Sequence, residues 1–171
     1  MCSSDLYEKR SIAVEIPAWD PSICIECGLC AIVCPHAAIR SKAYPQEALG
    51  GRPAEFLSKP WSGKDWPGFQ MTIQVAPDDC TGCGVCVDVC PAHSKEAVKH
   101  KAINMTPKLG IVDRERANYE FFLSIPELDR SKVGGDTVKS SQLLLPLFEY
   151  SGACAGCGET PYLKLLTQLF G

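Results

Sequence analysis

Apolar positions along this chain fall in short, interrupted runs rather than long amphipathic stretches. Residues 11–19 alternate in part and predict a strand or extended lead-in, closed by Asp20 and Pro21. Residues 71–75 (MTIQV) predict a short strand. Residues 94–99 fit a short helix, and residues 114–123 a longer one with Asp113 as N-cap and Pro126 closing it. Near the C-terminus, Tyr162, Leu163, Leu166, Leu169 and Phe170 recur at helical spacing, behind Thr160 as cap and Pro161 at the first helical position. Residues 36–79 are punctuated by Pro45, Gly50, Gly51, Pro53, Pro60, Gly63, Pro67 and Gly68, and predict a loop with little regular structure. Trp61, Trp66 and Phe69 are expected to pack that insert onto the body, as large aromatics usually do. Gly134, Gly135 and Asp136 read as a turn, within a soft boundary at residues 106–140.

Composition narrows the class. The chain has 171 residues, room for one or two small domains. A net charge of −3 without a basic run argues against nucleic acid as a partner. The longest apolar stretch, residues 143–148, is far too short to span a bilayer. Asp113, Arg114, Glu115 and Arg116 read as a solvated face. Eleven cysteines without a secretory signal point to metal binding in a reducing, oxygen-poor cytoplasm, not to disulfides.

The cysteines carry the strongest signal. Cys24, Cys27, Cys30 and Cys34 precede Pro35, and 56 positions later Cys80, Cys83, Cys86 and Cys90 precede Pro91. Both runs read C-x-x-C-x-x-C-x-x-x-C-P, the pattern of bacterial two-cluster ferredoxins, in which the fourth cysteine serves the other cluster. Two [4Fe–4S] clusters are therefore expected, cluster I on Cys24, Cys27, Cys30 and Cys90, and cluster II on Cys80, Cys83, Cys86 and Cys34. Gly28 recurs as Gly84 and Val33 as Val89, so the expected fold is α+β with a pseudo-two-fold repeat. Ile25, Leu29, Ile32, Val33, Val85, Val87 and Val89 are expected to form a dry shell around the clusters. His36 and His93 read as half-exposed neighbours rather than tuning groups, and His100 carries no expectation. Structural zinc, which uses paired C-x₂₋₄-C units, fits this spacing poorly.

A second signal lies at residues 151–162, SGACAGCGETPY. Cys154 and Cys157 form a C-x-x-C among small residues, just before a helix N-terminus that favours anions. Alone, such a pair fits half an iron–sulfur site, half a zinc site or a redox dithiol. Two thiolates do not close a four-thiolate site.

The double run followed by IQVAPDDC, FFLSIPELDRSKV and LLLPLFEYSGACAGCGETPY resembles the pyruvate:ferredoxin (or flavodoxin) oxidoreductases, over roughly residues 7–171. These are large single-chain thiamine-diphosphate enzymes. The resemblance implies oxidative decarboxylation of pyruvate with coenzyme A to acetyl-CoA and carbon dioxide, with electrons leaving to ferredoxin or flavodoxin. It implies that Cys154 and Cys157 are two of four ligands of a third, proximal cluster, and that Glu159 lies at the thiamine diphosphate–Mg²⁺ site. It also implies a homodimeric parent. No catalytic residue is assigned within this chain, which alone is not expected to turn over pyruvate.

The expected organisation follows. Residues 1–6 (MCSSDL) match what a common sequencing adapter encodes, which would make Cys2 foreign. Residues 7–106 form the two-cluster domain with its insert, residues 107–139 a linker with one helix, and residues 140–171 the truncated start of an α/β thiamine-diphosphate domain. A free-standing two-cluster ferredoxin-like carrier and a zinc-binding structural module are the alternative readings.

Overall fold

Each cysteine run lies between two strands, and the strands pair crosswise. The computed structural model describes residues 11–97 and 99–171. The expected foreign tail at residues 1–6, with Cys2, lies outside the described residues. Strand β1 (Glu15–Trp19) leads into the first run, whose short helix α1 (Leu29–Ile32) is followed by β2 (Ile39–Pro45). Strand β4 (Phe69–Val75) leads into the second run, whose helix α2 (Val85–Asp88) is followed by β5 (Ile103–Pro107). β1 pairs antiparallel with β5, from Glu15 opposite Pro107 to Trp19 opposite Ile103. β2 pairs antiparallel with β4, from Ile39 opposite Val75 to Pro45 opposite Phe69. The first strand of each half thus lies against the last strand of the other, which draws α1 and α2 together.

The insert differs from the sequence expectation. Besides β2 and β4 it holds a 3₁₀ turn at Gln46–Leu49 and strand β3 (Lys59–Pro60), which completes a three-stranded sheet of order β2-β4-β3. The prolines and glycines mark the ends of strands rather than their absence. Pro45 ends β2, and Pro60 sits on the edge strand, where a missing N–H is tolerated. Trp61 is buried and lies 5.5 Å from Trp66 between ring centroids, and Trp66 stacks on Phe69 at 6.3 Å. These rings pack the insert onto the body, as expected.

Two shorter predictions shift. Residues 94–97 and 99 form no helix; His93 bridges to Lys101, and the Ser94 amide donates to the His100 carbonyl at 2.8 Å. That return pairing within a few residues outcompetes a single helical turn. The long helix α3 spans Val112–Ser124, with Ile111 at the N-cap position and Asp113 inside the first turn. There Asp113 pairs with Arg116 at 3.0 Å, and Arg116 also reaches Asp78 at 2.8 Å. Arg116 and the Ser11 hydroxyl together hold the Asp78 carboxyl down at about 2. Two short turns follow, a 3₁₀ segment at Arg130–Lys132 and helix α4 (Val138–Ser141), before helix α5 (Thr160–Phe170). Among the described residues no helix is long and apolar enough to cross a membrane.

The core joins Trp19, Tyr44, Phe56, Met71, Ile73, Val75, Ile103, Tyr119, Phe122 and Leu143, with α3 packed across β4. Both faces of β2 are covered, so its polar side chains need internal partners. Arg40 pairs with Glu149, and the Ser41 hydroxyl donates to the Gln142 carbonyl at 2.9 Å. Lys42 is 5% exposed. Its ammonium donates to the Phe122 and Ile125 carbonyls at 3.0 and 2.6 Å and pairs with Glu127 at 2.6 Å. It thereby closes the C-terminus of α3, where unpaired carbonyls and the helix dipole favour a cation.

Replacing Lys42 by Ala leaves those carbonyls buried without their donor. We expect a loss of about 2 kcal/mol, seen as a thermal midpoint lower by about 4–8 °C. An unchanged melting curve would remove Lys42 from the set of structural contacts that matter.

Candidate metal centres

The eight thiols of the two runs separate into two cavities. Cys24, Cys27, Cys30 and Cys90 line one, with Ile73, Ala92, Ala102 and Ile103. Cys34, Cys80, Cys83 and Cys86 line the other, with Pro17, His36, Ile39 and Met105. Each cavity takes three cysteines from one run and the fourth from the other run, the grouping expected from the spacing.

Local backbone geometry explains how three thiols reach one cavity. Gly28 and Gly84 precede α1 and α2, both at φ 76°, a left-handed conformation that turns the chain sharply at little steric cost. At Gly28 space is short as well, since an added Cβ would stand 3.2 Å from the Val138 carbonyl oxygen. Two residues earlier in each loop, Glu26 and Gly82 also have positive φ, 60° and 71°. Their amides donate to the Cys24 and Cys80 sulfurs, each at 3.4 Å. Amides aimed at sulfur stabilise negative charge there.

Burial makes three of these thiols hard to ionise unaided. It pushes the Cys80 thiol up to about 11 and Cys86 up to about 12, and Cys30 is driven upward by burial and by the thiols around it. Four thiolates in one dry cavity need bound positive charge, which links metal uptake to proton release. Among the described residues no three His, Cys, Asp or Glu side chains converge closely enough for a single metal ion. The four thiols of each cavity stand around its walls instead. That arrangement suits a multi-iron cluster held at four corners.

The wall residues differ in part from the expected dry shell. Ile25 is 59% exposed, and Leu29, Ile32, Val33, Val85, Val87 and Val89 are half-buried. Of these, Ile25 lines the first cavity and Val85 the second, and crosswise pairing adds Ile39, Ile73 and Ile103 to the walls. The half-exposed reading of His36 is overturned: it is 4% exposed, and its Nδ1 lies 3.1 Å from the Ser151 carbonyl oxygen. Burial holds its pKa below the usual histidine range. His93 is exposed, and His100 pairs with Asp20 at 2.9 Å.

A buried carboxylate that the spacing did not single out holds the first loop. Glu26 pairs with Lys59 at 3.2 Å and Lys139 at 2.9 Å, and accepts from the Ser62 hydroxyl at 2.6 Å. Burial alone would raise its pKa, but hydrogen bonds from Ser62, Lys139 and Lys59 hold it below the usual value. Lys59 also donates to the Cys24 carbonyl at 2.7 Å, and Lys139 lies 4.0 Å from the Trp61 ring centre. These contacts lock a non-glycine residue into the strained backbone region that Gly82 occupies freely in the second loop.

Cys154 and Cys157 lie apart from both groups. Cys154 is exposed, and Gly156 packs so that an added Cβ would be 3.7 Å from the Cys83 Cβ. The C-x-x-C loop therefore rests against the second cavity. Amides of Thr160 and Glu159 lower the Cys157 pKa at the N-terminus of α5. The helix begins one residue earlier than expected, with Glu159 rather than Thr160 at the N-cap position. Glu159 is exposed.

Glu26→Gln leaves two lysines without their counter-charge beside the first loop. Because both lysines keep some exposure, we expect a loss of about 2 kcal/mol rather than the full penalty of a buried charge. Denaturant unfolding at neutral pH measures it, and a loss below about 0.5 kcal/mol would show the network to be an ordinary surface cluster.

The 4Fe-4S dicluster domain family matches residues 23–94. Over 165 residues the chain is 56% identical to a pyruvate-flavodoxin oxidoreductase of Trichormus variabilis. It is 53% identical over 165 residues to a probable pyruvate-flavodoxin oxidoreductase of Escherichia coli. Over the same length it is 52% identical to a pyruvate:ferredoxin oxidoreductase of Moorella thermoacetica. Each match covers 96% of this chain and 14% of the relative, so the chain spans a small part of these proteins. Nearly all of the chain is thus homologous to one segment of the pyruvate-flavodoxin and pyruvate:ferredoxin oxidoreductases, and within that segment it carries a 4Fe-4S dicluster domain.

Proposed function

We propose that this chain is the electron-relay segment of a 2-oxoacid oxidoreductase acting on pyruvate. The observation that carries the reading is the exchange of fourth cysteines: Cys90 in the cavity of the first run and Cys34 in that of the second. Shared ligands place two redox centres side by side on one rigid frame. Cys24, Cys27, Cys30 and Cys90 hold cluster I, and Cys80, Cys83, Cys86 and Cys34 hold cluster II. When bound, [4Fe–4S] clusters supply one-electron redox chemistry, which divides a two-electron oxidation into single steps. The crosswise strand pairs and the matched αL turns at Gly28 and Gly84 support a pseudo-two-fold repeat.

In the whole enzyme, pyruvate and coenzyme A give acetyl-CoA, carbon dioxide and two electrons. The names of the relatives support ferredoxin or flavodoxin as acceptor. Residues 7–106 form the two-cluster domain, residues 107–139 the linker, and residues 140–171 the start of the thiamine-diphosphate domain. Cys154 and Cys157 supply half the ligands of a third cluster, and Glu159 contributes to the thiamine diphosphate–Mg²⁺ site. The position of Gly156 beside Cys83 and Val85 supports an electron path that enters at cluster II and leaves from cluster I. The parent is a homodimer of the reducing, oxygen-poor cytoplasm, and the isolated segment does not turn over pyruvate.

Anaerobic reconstitution with iron and sulfide tests the reading. About eight irons and eight sulfides per chain are expected, as two four-iron clusters require. Cys34→Ala should deplete the cluster held by Cys80, Cys83 and Cys86, and Cys90→Ala the cluster held by the first run. An uptake of about four irons by the unaltered chain, or zinc without acid-labile sulfide, would refute it.

A further inference from the structure

Lys164 lies in the C-terminal helix, yet its ammonium reaches the heart of the two-cluster frame. It donates to the carbonyls of Ala31 and Cys34, the latter at 3.1 Å. These carbonyls lie at and just beyond the C-terminal end of α1, the short helix that carries Cys30 of one cavity and leads to Cys34 of the other. The side chain is 2% exposed. Among the described residues no carboxylate forms an ion pair with it, and its hydrogen-bond partners are those two carbonyls. A fully buried ammonium without a counter-charge is strongly unfavourable, and helix-end carbonyls offset only part of that. The thiols of Cys30 and Cys34 line the two cavities on either side of this turn.

The second half offers a built-in comparison. Lys101 donates to the Val87 and Asp88 carbonyls at 2.7 and 3.2 Å, so it closes α2 as Lys164 closes α1. Val87 stands where Ala31 stands in the first repeat, 56 positions on. Lys101, however, is half-exposed, and water screens its charge. The manner in which α5 docks sharpens the contrast. Thr160, Lys164 and Gln168 face inward, while Tyr162, Leu166 and Phe170 face outward. Gln168 is held by the Leu144 carbonyl at 2.8 Å and by Gln142 at 3.1 Å. The helix is thus seated by a polar stripe with one charge at its centre.

We propose that Lys164 is the shared buried counter-charge of both clusters, a positioning residue that favours their reduced forms and couples the seating of α5 to cluster occupancy. The proposal rests on the two-cluster reading above. A fixed positive charge in a dry interior stabilises the state that has gained an electron, and so raises the midpoint potential of each cluster. By linkage, loading and reducing the clusters tightens α5 against α1.

The test uses the reconstituted chain with Lys164→Met, Lys164→Gln, Lys164→Arg and Lys101→Met. Iron and sulfide are counted, and midpoint potentials are read by redox titration followed by electron paramagnetic resonance. Both neutral Lys164 variants should shift both potentials negative, so that at the poise where half the unaltered clusters are reduced theirs are several-fold less reduced. Lys164→Arg should restore the unaltered values, and Lys101→Met should shift them less. Hydrogen exchange of α5 should slow on cluster loading in the unaltered chain and much less in Lys164→Met. Unchanged potentials in Lys164→Gln overturn the proposal, since that variant keeps a donor and loses only the charge. Should the neutral variants fail to retain iron while Lys164→Arg retains it, the counter-charge role stands; should Lys164→Arg fail as well, shape rather than charge is at work and the proposal falls. If the unaltered chain itself takes up fewer than about eight irons, the two-cluster reading fails, independently of Lys164.

Discussion

Everything in this structure answers to the convergence of four thiols on each of two cavities. A thiol in such a place resists ionisation, as the upward shifts of Cys80 and Cys86 record. Four of them together are tolerable only protonated or around bound positive charge. The backbone serves that need directly. It turns through the left-handed region before each short helix, aims amides at sulfur, and carries the fourth cysteine of each run across to the opposite cavity.

The frame around the thiols is assembled from strands that belong to different halves. β1 lies against β5 and β2 against β4, so neither half is complete without the other. The insert thickens this frame rather than decorating it. Its sheet brings Ile73 to one cavity wall and Trp61 and Met71 to the core. Its lysines reach further, with Lys42 closing α3 and Lys59 holding both Glu26 and the Cys24 carbonyl. The recurrent device is a buried or half-buried lysine placed on the carbonyl end of a helix or loop.

Much of the site was legible in the sequence, and the reason is local. The spacing of three cysteines within seven residues, the glycine before each helix and the C-P step all act within a dozen positions. Element types near that scale were also readable: the strand ending at Val75, the helix closing before Pro126 and the C-terminal helix. Residues 94–99 misled because a fair helical pattern there loses to the pairing of His93 with Lys101. The insert misled because prolines and glycines read as a loop with little regular structure when they mark strand ends. His36 misled because the segment that buries it, around Ser151, lies 115 residues away.

From the sequence alone came the two cysteine runs, the grouping of Cys90 with the first and Cys34 with the second, and the expectation of iron–sulfur chemistry. Metal ligation by short spacings is a property of the chain itself, since a loop of a few residues has few ways to present three thiols to one point. Only the tertiary structure decided which charges stand beside those thiols. Glu26 meets Lys139 across 113 residues, and Lys164 meets Ala31 across 133. No periodicity encodes such pairs, because their partners become neighbours only when the crosswise sheets and the polar face of α5 have closed around the cavities.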